Sequence, residues 1–86
     1  MILNKEKRHI AILGSTGSIG TQALEVIDLH SDLLAVEVLT ANNNAALLIE
    51  QARKFQPNAV VIANEDKYEE VRDALEDLPI KVWAGT

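Results

Sequence analysis

Three of the four glycines in this chain fall within seven residues, Gly14-Ser15-Thr16-Gly17-Ser18-Ile19-Gly20. Before them runs the strand-like segment Arg8 to Leu13, and after them a helix-like segment from Thr21 to Leu29. Strand, glycine-rich turn and helix form a cradle for a pyrophosphate. The first glycine lets the chain turn sharply out of the strand. The second lets backbone approach the phosphates with no Cβ in the way, and the third lets the helix pack closely on the strand. The helix start adds unpaired N–H groups and a partial positive charge, both suited to an anion.

The spacing is G-x-x-G-x-x-G rather than the stricter G-x-G-x-x-G, and its context in a β-α-β unit is what the reading requires. The bland alternative is a structural strand-to-helix turn that holds no ligand. A nucleotide P-loop is excluded, because Gly20-Thr21 stands where Gly-Lys-Ser/Thr would be needed. A flavodoxin-like receiver would want acidic residues where Gly14-Ser15-Thr16 stands.

A second polar cluster, Asn42-Asn43-Asn44, follows the apolar run Val36-Glu37-Val38-Leu39-Thr40-Ala41. An NAD-binding fold usually carries Asp or Glu at this strand tip to bond the ribose 2′-hydroxyl. Here the only nearby carboxylate, Glu37, sits mid-strand and too early. A 2′-phosphate would meet no repulsion, and three amides stand ready, so the tip favours NADP over NAD. The alternative is a polar turn and helix cap without a ligand.

The elements that must position these clusters alternate regularly. Strands are expected at Arg8–Leu13, Leu34–Ala41, Asn58–Ala63 and Ile80–Ala84, and helices at Ser18–Leu29, Asn44–Phe55 and Glu65–Asp77. The first helix places Ile19, Ala23, Val26 and Ile27 on one face. The second turns Ala45, Leu48, Ile49 and Ala52 inward, and the third Val71, Ala74, Leu75 and Leu78. The run Asn58–Ala63 is apolar throughout, as in a strand buried on both faces. Asn44 and Asn64 suit helix N-caps. Glu65 and Asp66 complement a helix dipole, and Pro57 and Pro79 each stand just past a helix. Alternating strands and helices joined by right-handed crossovers make a parallel sheet of the α/β Rossmann class, a three-layer αβα sandwich of about four strands. The chain stops at Gly85-Thr86, just after the fourth strand, and a dinucleotide site needs both halves of a doubly wound sheet. Residues 1–86 therefore read as the N-terminal part of a NADP(H)-binding domain whose catalytic and C-terminal domains are absent.

Composition narrows the function further. A hydrophobic share of 48% supports a packed core, and an aromatic share of 3% makes that core aliphatic. The net charge of −5, with no basic run beyond Lys5-Glu6-Lys7-Arg8, argues against nucleic acid. The absence of cysteine removes disulfide, thiolate-metal and thiol chemistry. No apolar stretch spans a bilayer, and Met1-Ile2-Leu3-Asn4-Lys5 lacks the form of a signal peptide, which points to the cytoplasm. His9, His30 and Tyr68 read as solvated or packing residues. Trp83 reads as cover for a sheet edge or for chain beyond residue 86. No side chains form a catalytic set and none a metal site.

The stretch Ala11-Ile12-Leu13-Gly14-Ser15-Thr16-Gly17-Ser18-Ile19-Gly20-Thr21-Gln22 closely resembles the amino-terminal signature of the 1-deoxy-D-xylulose 5-phosphate reductoisomerase family. Leu24-Glu25-Val26-Ile27, the segment Leu47 to Phe55 with Gln56-Pro57, and Val82-Trp83-Ala84-Gly85 extend the likeness over nearly the whole chain. The resemblance implies an NADPH-dependent oxidoreductase of non-mevalonate isoprenoid biosynthesis. Such an enzyme rearranges and reduces a sugar-phosphate substrate, 1-deoxy-D-xylulose 5-phosphate, to 2-C-methyl-D-erythritol 4-phosphate, with a Mg²⁺ or Mn²⁺ ion bound beyond residue 86. It implies that Thr16, Gly17, Ser18 and Ile19, with Gly14, meet the pyrophosphate and nicotinamide half of NADPH. Asn42, Asn43 and Asn44 then stand in the second contact loop. There Asn44 matches the family pattern Ala-Gly-Lys/Arg/Ser-Asn, and Asn42 and Asn43 depart from it. The same likeness places the fourth strand outside the third, giving the order fourth-third-second-first against the simple Rossmann order third-second-first-fourth. In the isolated chain the first strand then becomes an open edge along Ile10, Ala11 and Ile12, which the full-length chain would cover and which invites two copies to pair as a homodimer. Two other readings stay open on the residues alone: another NADP-dependent reductase, similar to aspartate-semialdehyde dehydrogenase, with a cysteine nucleophile downstream, and a non-catalytic dinucleotide-sensing module.

Overall fold

The structure is a computed structural model that describes residues 7–85. The leader Met1–Lys5 and the Lys5-Glu6 part of the basic run lie outside the described residues. Four parallel strands form one sheet: β1 (Arg8–Ile12), β2 (Leu34–Ala41), β3 (Ala59–Ile62) and β4 (Lys81–Ala84). Between them lie α1 (Ser18–Leu29), α2 (Ala45–Phe55), and a 3₁₀ turn at Glu65–Lys67 leading into α3 (Tyr68–Ala74). The order is β1-β2-β3-β4, so each strand lies beside the next in sequence and β1 is an edge of the described sheet. This is the order expected from the family likeness rather than the simple Rossmann order.

That order decides which faces are covered. Stepping one way across a sheet with right-handed crossovers puts every connecting helix on the same side. Leu39, Val60 and Ile62 point to that side and are fully buried with Leu48, Val71 and Leu75. The alternate residues Val38, Ala59 and Val61 are only half-buried, and Trp83, in register with Val61, is 59% exposed. The expectation that the third strand is buried on both faces therefore fails for the described residues. The described residues form the parallel sheet and a single helical layer.

Two helices differ from their expected form. In α1 the buried residues are Gly20, Leu24 and Ile27, flanked by half-buried Ala23, while Ile19 and Val26 are 84% and 52% exposed. The inward stripe is thus rotated away from Ile19 and Val26, because the helix approaches the sheet through Gly20, a residue with no apolar side chain to mark it. The expected single helix Glu65–Asp77 starts as a 3₁₀ turn. There Asn64 Oδ1 accepts from Asp66 N at 2.9 Å and Asn64 O from Lys67 N at 3.0 Å, an i→i+3 bond. In α2, Ala45, Leu48 and Ala52 are buried as expected, Ile49 is half-buried and the polar Gln51 is buried with them, and Asn44 caps the helix by accepting from Leu47 N at 3.1 Å. Arg53 from α2 forks onto Asp77 at 3.0 and 2.9 Å beyond α3, and this bond holds the Asp77 carboxyl below its usual range.

Register shifts once, between Ile10 and Ala11 opposite β2, where Glu37 is the extra residue. Its carboxylate lies 3.2 Å from His9 Nδ1 and accepts from Asn58 Nδ2. Glu37 is thereby spent on the amino-terminal side of the sheet, away from the strand tips.

Candidate cofactor site

In a parallel sheet the loops leaving the strands gather at one edge, and ligands bind there. The loop after β1 is built by its glycines in three different ways. Gly14 adopts φ +68°, a left-handed conformation, which turns the chain out of the strand. Gly17 N donates to Gly14 O at 3.1 Å and closes the turn. Gly20 is the contact between helix and loop, where a Cβ would lie 2.2 Å from Gly14 O and 2.6 Å from Ser15 Cα.

Gly17 has a different surrounding. It is the N-cap of α1 at φ −83°, ψ 177°, offers no side-chain cap, and a Cβ there would meet only Gly14 O at 3.5 Å. No acidic residue stands in the first turn of α1. The leading N–H groups of the helix, on Ser18 and Ile19, therefore face outward without a side-chain acceptor. Thr16 is half-buried, while Ser18 and Ile19 are exposed beside Gly17. The result is an exposed backbone edge of donors beside open space that a side chain at Gly17 would enter. That edge fits a pyrophosphate.

The asparagine loop lies next to it. Thr40, at the end of β2, accepts from Gly14 N through its Oγ1 at 2.8 Å and from Ser15 N through its carbonyl at 2.7 Å. Two residues on, Asn42, Asn43 and Asn44 are exposed at the same edge. Their amides are not equivalent. Asn44 Oδ1 is committed to capping α2, and Asn43 Oδ1 accepts from Asn64 Nδ2 at 2.9 Å. Asn42 holds the loop through its carbonyl, which accepts from Asn64 N at 2.9 Å. The Asn43 bond leaves its own NH₂ group as donor toward solvent, and the Asn42 side chain has no partner among the described residues. Gly14, Thr16, Gly17, Ser18 and Ile19 thus form one cluster, with Asn42, Asn43 and Asn44 in an adjoining one.

Three residues that sequence reasoning passed over hold these clusters in place: Thr40, Ser15 and Gln51. Ser15 is 0% and Gln51 7% exposed, the two buried polar side chains among the described residues. The signal for Gln51 was its position, three residues after Leu48 and beside Ala52 on the inward stripe of α2. Elsewhere, a groove of about 500 Å³ lies between α1 and α2, lined in part by Leu24, Leu47 and Phe55. It lacks the convergent backbone donors of the strand-tip edge. Among the described residues no three His, Asp or Glu side chains come together as a metal site, and no helix is long and apolar enough to cross a membrane.

Residues 10–86 match the family model for 1-deoxy-D-xylulose 5-phosphate reductoisomerase. The chain is 68% identical over 79 residues to the protein of that name from Phocaeicola vulgatus, covering 92% of this chain and 21% of the relative. It is 68% identical over 80 residues to that of Bacteroides thetaiotaomicron, covering 93% and 20%. Among solved structures, the reductoisomerase from Zymomonas mobilis in complex with NADPH superposes with a TM-score of 0.89 at 34% identity, over 93% of this chain and 21% of that one. A reductoisomerase in complex with NADPH, fosmidomycin and magnesium gives 0.85 at 29% identity, over 91% and 19%. The chain spans about a fifth of the length of the curated relatives it matches.

Proposed function

The chain belongs to the 1-deoxy-D-xylulose 5-phosphate reductoisomerase family, and from that premise we propose that residues 1–86 are the N-terminal part of the NADPH-binding domain of such an enzyme. The observation that carries the reading is the open backbone edge at Gly17, where a helix start without a side-chain cap adjoins a loop free of carboxylates. The whole protein converts 1-deoxy-D-xylulose 5-phosphate to 2-C-methyl-D-erythritol 4-phosphate in the cytoplasm. Its catalytic residues and its Mg²⁺ or Mn²⁺ ligands belong to the chain beyond residue 86.

NADPH, when bound, supplies the hydride that reduces the rearranged sugar phosphate. The residues of this chain bind and orient. The N–H groups of Ser18 and Ile19 and the hydroxyls of Thr16 and Ser18 hold the pyrophosphate, with Gly14 and Gly17 keeping its approach clear. The exposed Ile19 side chain offers an apolar surface to the nicotinamide half. Asn42 and the free NH₂ of Asn43 donate toward the 2′-phosphate, and Asn44 holds the loop by capping α2. Fluorescence titration of the full-length protein with NADPH and NADH tests the assignment. Saturable binding of NADPH, tighter than that of NADH, is expected, and no binding of either would refute it.

Asn42→Asp carries that test to one residue. A carboxylate near a dianionic 2′-phosphate costs about 1–2 kcal/mol even at the dielectric of bulk water. The ratio of kcat/KM for NADPH over NADH should fall about tenfold. An unmoved ratio would show that Asn42 does not face the ribose.

Assembly as a homodimer belongs to the same proposal. In residues 1–86 alone β1 is the sheet edge, and Ile10, Ala11 and Ile12 carry unpaired backbone groups that a second copy can use where the full-length chain would cover them. Sedimentation velocity of residues 1–86 over a range of concentrations should show self-association. A strictly monomeric fragment at high concentration would count against pairing along β1.

A further inference from the structure

Ser15 and Gln51 bond each other, and Ser15 Oγ also lies 3.3 Å from Thr40 O. Ser15 Oγ donates to Gln51 Oε1 at 2.7 Å, and Gln51 Nε2 donates to Ser15 O at 2.8 Å. Both are buried in a core that is otherwise aliphatic, and among the described residues no buried polar side-chain atom is left without a partner. A buried carboxamide and hydroxyl gain little over an aliphatic pair of the same shape, since each must first give up water. What they add is position, because two directional bonds fix one backbone segment against another.

The segment fixed is the root of the glycine loop. Ser15 N donates to Thr40 O at the end of β2, α1 closes over Ser15 Cα where Gly20 has no Cβ, and Gln51 reaches it from the middle of α2. Thr16 and Gly17, the next two residues, then project from a root held on three sides. Helix α2 is also the helix whose start carries the asparagine loop. One rigid element therefore bears the adenosine-side loop at its N-cap and grips the pyrophosphate loop about two turns further on.

We propose that Gln51 is a positioning residue that, through Ser15, sets the glycine loop relative to the asparagine loop, so that both engage one NADPH molecule at once. The inference rests on the NADPH-binding reading above. Gln51 touches no part of the cofactor itself.

The test uses the full-length protein and three measurements at a temperature well below unfolding: NADPH affinity, 2′-AMP affinity and amide exchange. In Gln51→Met, which keeps the volume and removes both bonds, the dissociation constant for NADPH should rise about tenfold, as expected when ordered contacts at the pyrophosphate are lost. That for 2′-AMP, a probe of the asparagine loop alone, should stay within about twofold because α2 and its N-cap are untouched. Amide exchange at Ser15 to Gly20 should quicken while that of β2 and β3 does not. Ser15→Ala removes one of the two bonds and should give a smaller rise in the same direction, and it keeps the test decisive if Gln51→Met fails to fold. A folded variant that melts earlier yet binds NADPH as wild type does would make Gln51 a structural residue only and overturn the proposal. Wild-type protein that binds no NADPH would instead refute the underlying reading.

Discussion

Gly17→Val is expected to abolish NADPH binding while leaving the fold intact. The backbone at Gly17, φ −83° and ψ 177°, lies in the extended region that any residue adopts, so a β-branched side chain brings no strain. Its Cβ would meet Gly14 O at 3.5 Å, an ordinary contact, and its methyl groups would enter open space. The stability cost is that of a poor N-cap, about 0.5 kcal/mol relative to glycine. That open space is where a pyrophosphate must come to reach the N–H groups of Ser18 and Ile19. Hydrogen bonds to a charged group contribute about 1.5–3 kcal/mol each, so losing two of them weakens binding by about 100-fold or more. NADPH fluorescence titration should show no saturation in the range where the wild type saturates, while circular dichroism and the melting temperature stay close to wild type. A Gly17→Val protein that binds NADPH normally would remove the glycine loop from the cofactor site.

The parts of this architecture legible in the sequence are those set by local chemistry. The glycine loop, the caps at Asn44 and Asn64 and the seven alternating elements depend on residues within a few positions of each other, and the structure forms six of those elements within one residue of the expected ends, with α3 three residues shorter at each end. The parts that were not legible depend on partners far along the chain. Gln51 looks like one polar interruption of an apolar stripe until Ser15, 36 residues earlier, is brought against it. The face of α1 was misread for a related reason. Apolar periodicity weighs Ile19 and Val26 and gives glycine nothing, yet the closest approach of helix to loop is made at Gly20. The two faces of β3 could not be told apart from Ala59-Val60-Val61-Ile62, because every residue there is apolar. The covered face follows from strand order, a property of the whole sheet.

Gly20→Ala should be the most damaging single-methyl change in the chain. Two effects compete. Alanine in a helix interior is favoured over glycine by about 1 kcal/mol. Against that, the new Cβ would sit 2.2 Å from Gly14 O, 2.6 Å from Ser15 Cα and 2.9 Å from Ser15 C. All three neighbours are backbone atoms, and none can swing aside as a flexible side chain would. Relief requires α1 to withdraw from the loop, which pulls Leu24 and Ile27 off the core and loosens the clamp on Ser15. Overpacking that moves backbone costs about 1–3 kcal/mol or more, so the clash exceeds the propensity gain and the net change is destabilising by about 2 kcal/mol. Urea unfolding of the full-length protein followed at Trp83, in β4 of this domain, should show an earlier transition for Gly20→Ala. Gly17→Ala, the same added methyl three residues away in open space, should lose only the glycine cap, about 0.5 kcal/mol. If both variants unfold alike, the contact of Gly20 with the loop does not limit the packing of α1. An earlier transition for Gly20→Ala than for Gly17→Ala separates the glycine that packs the helix from the glycine that leaves room for the phosphates.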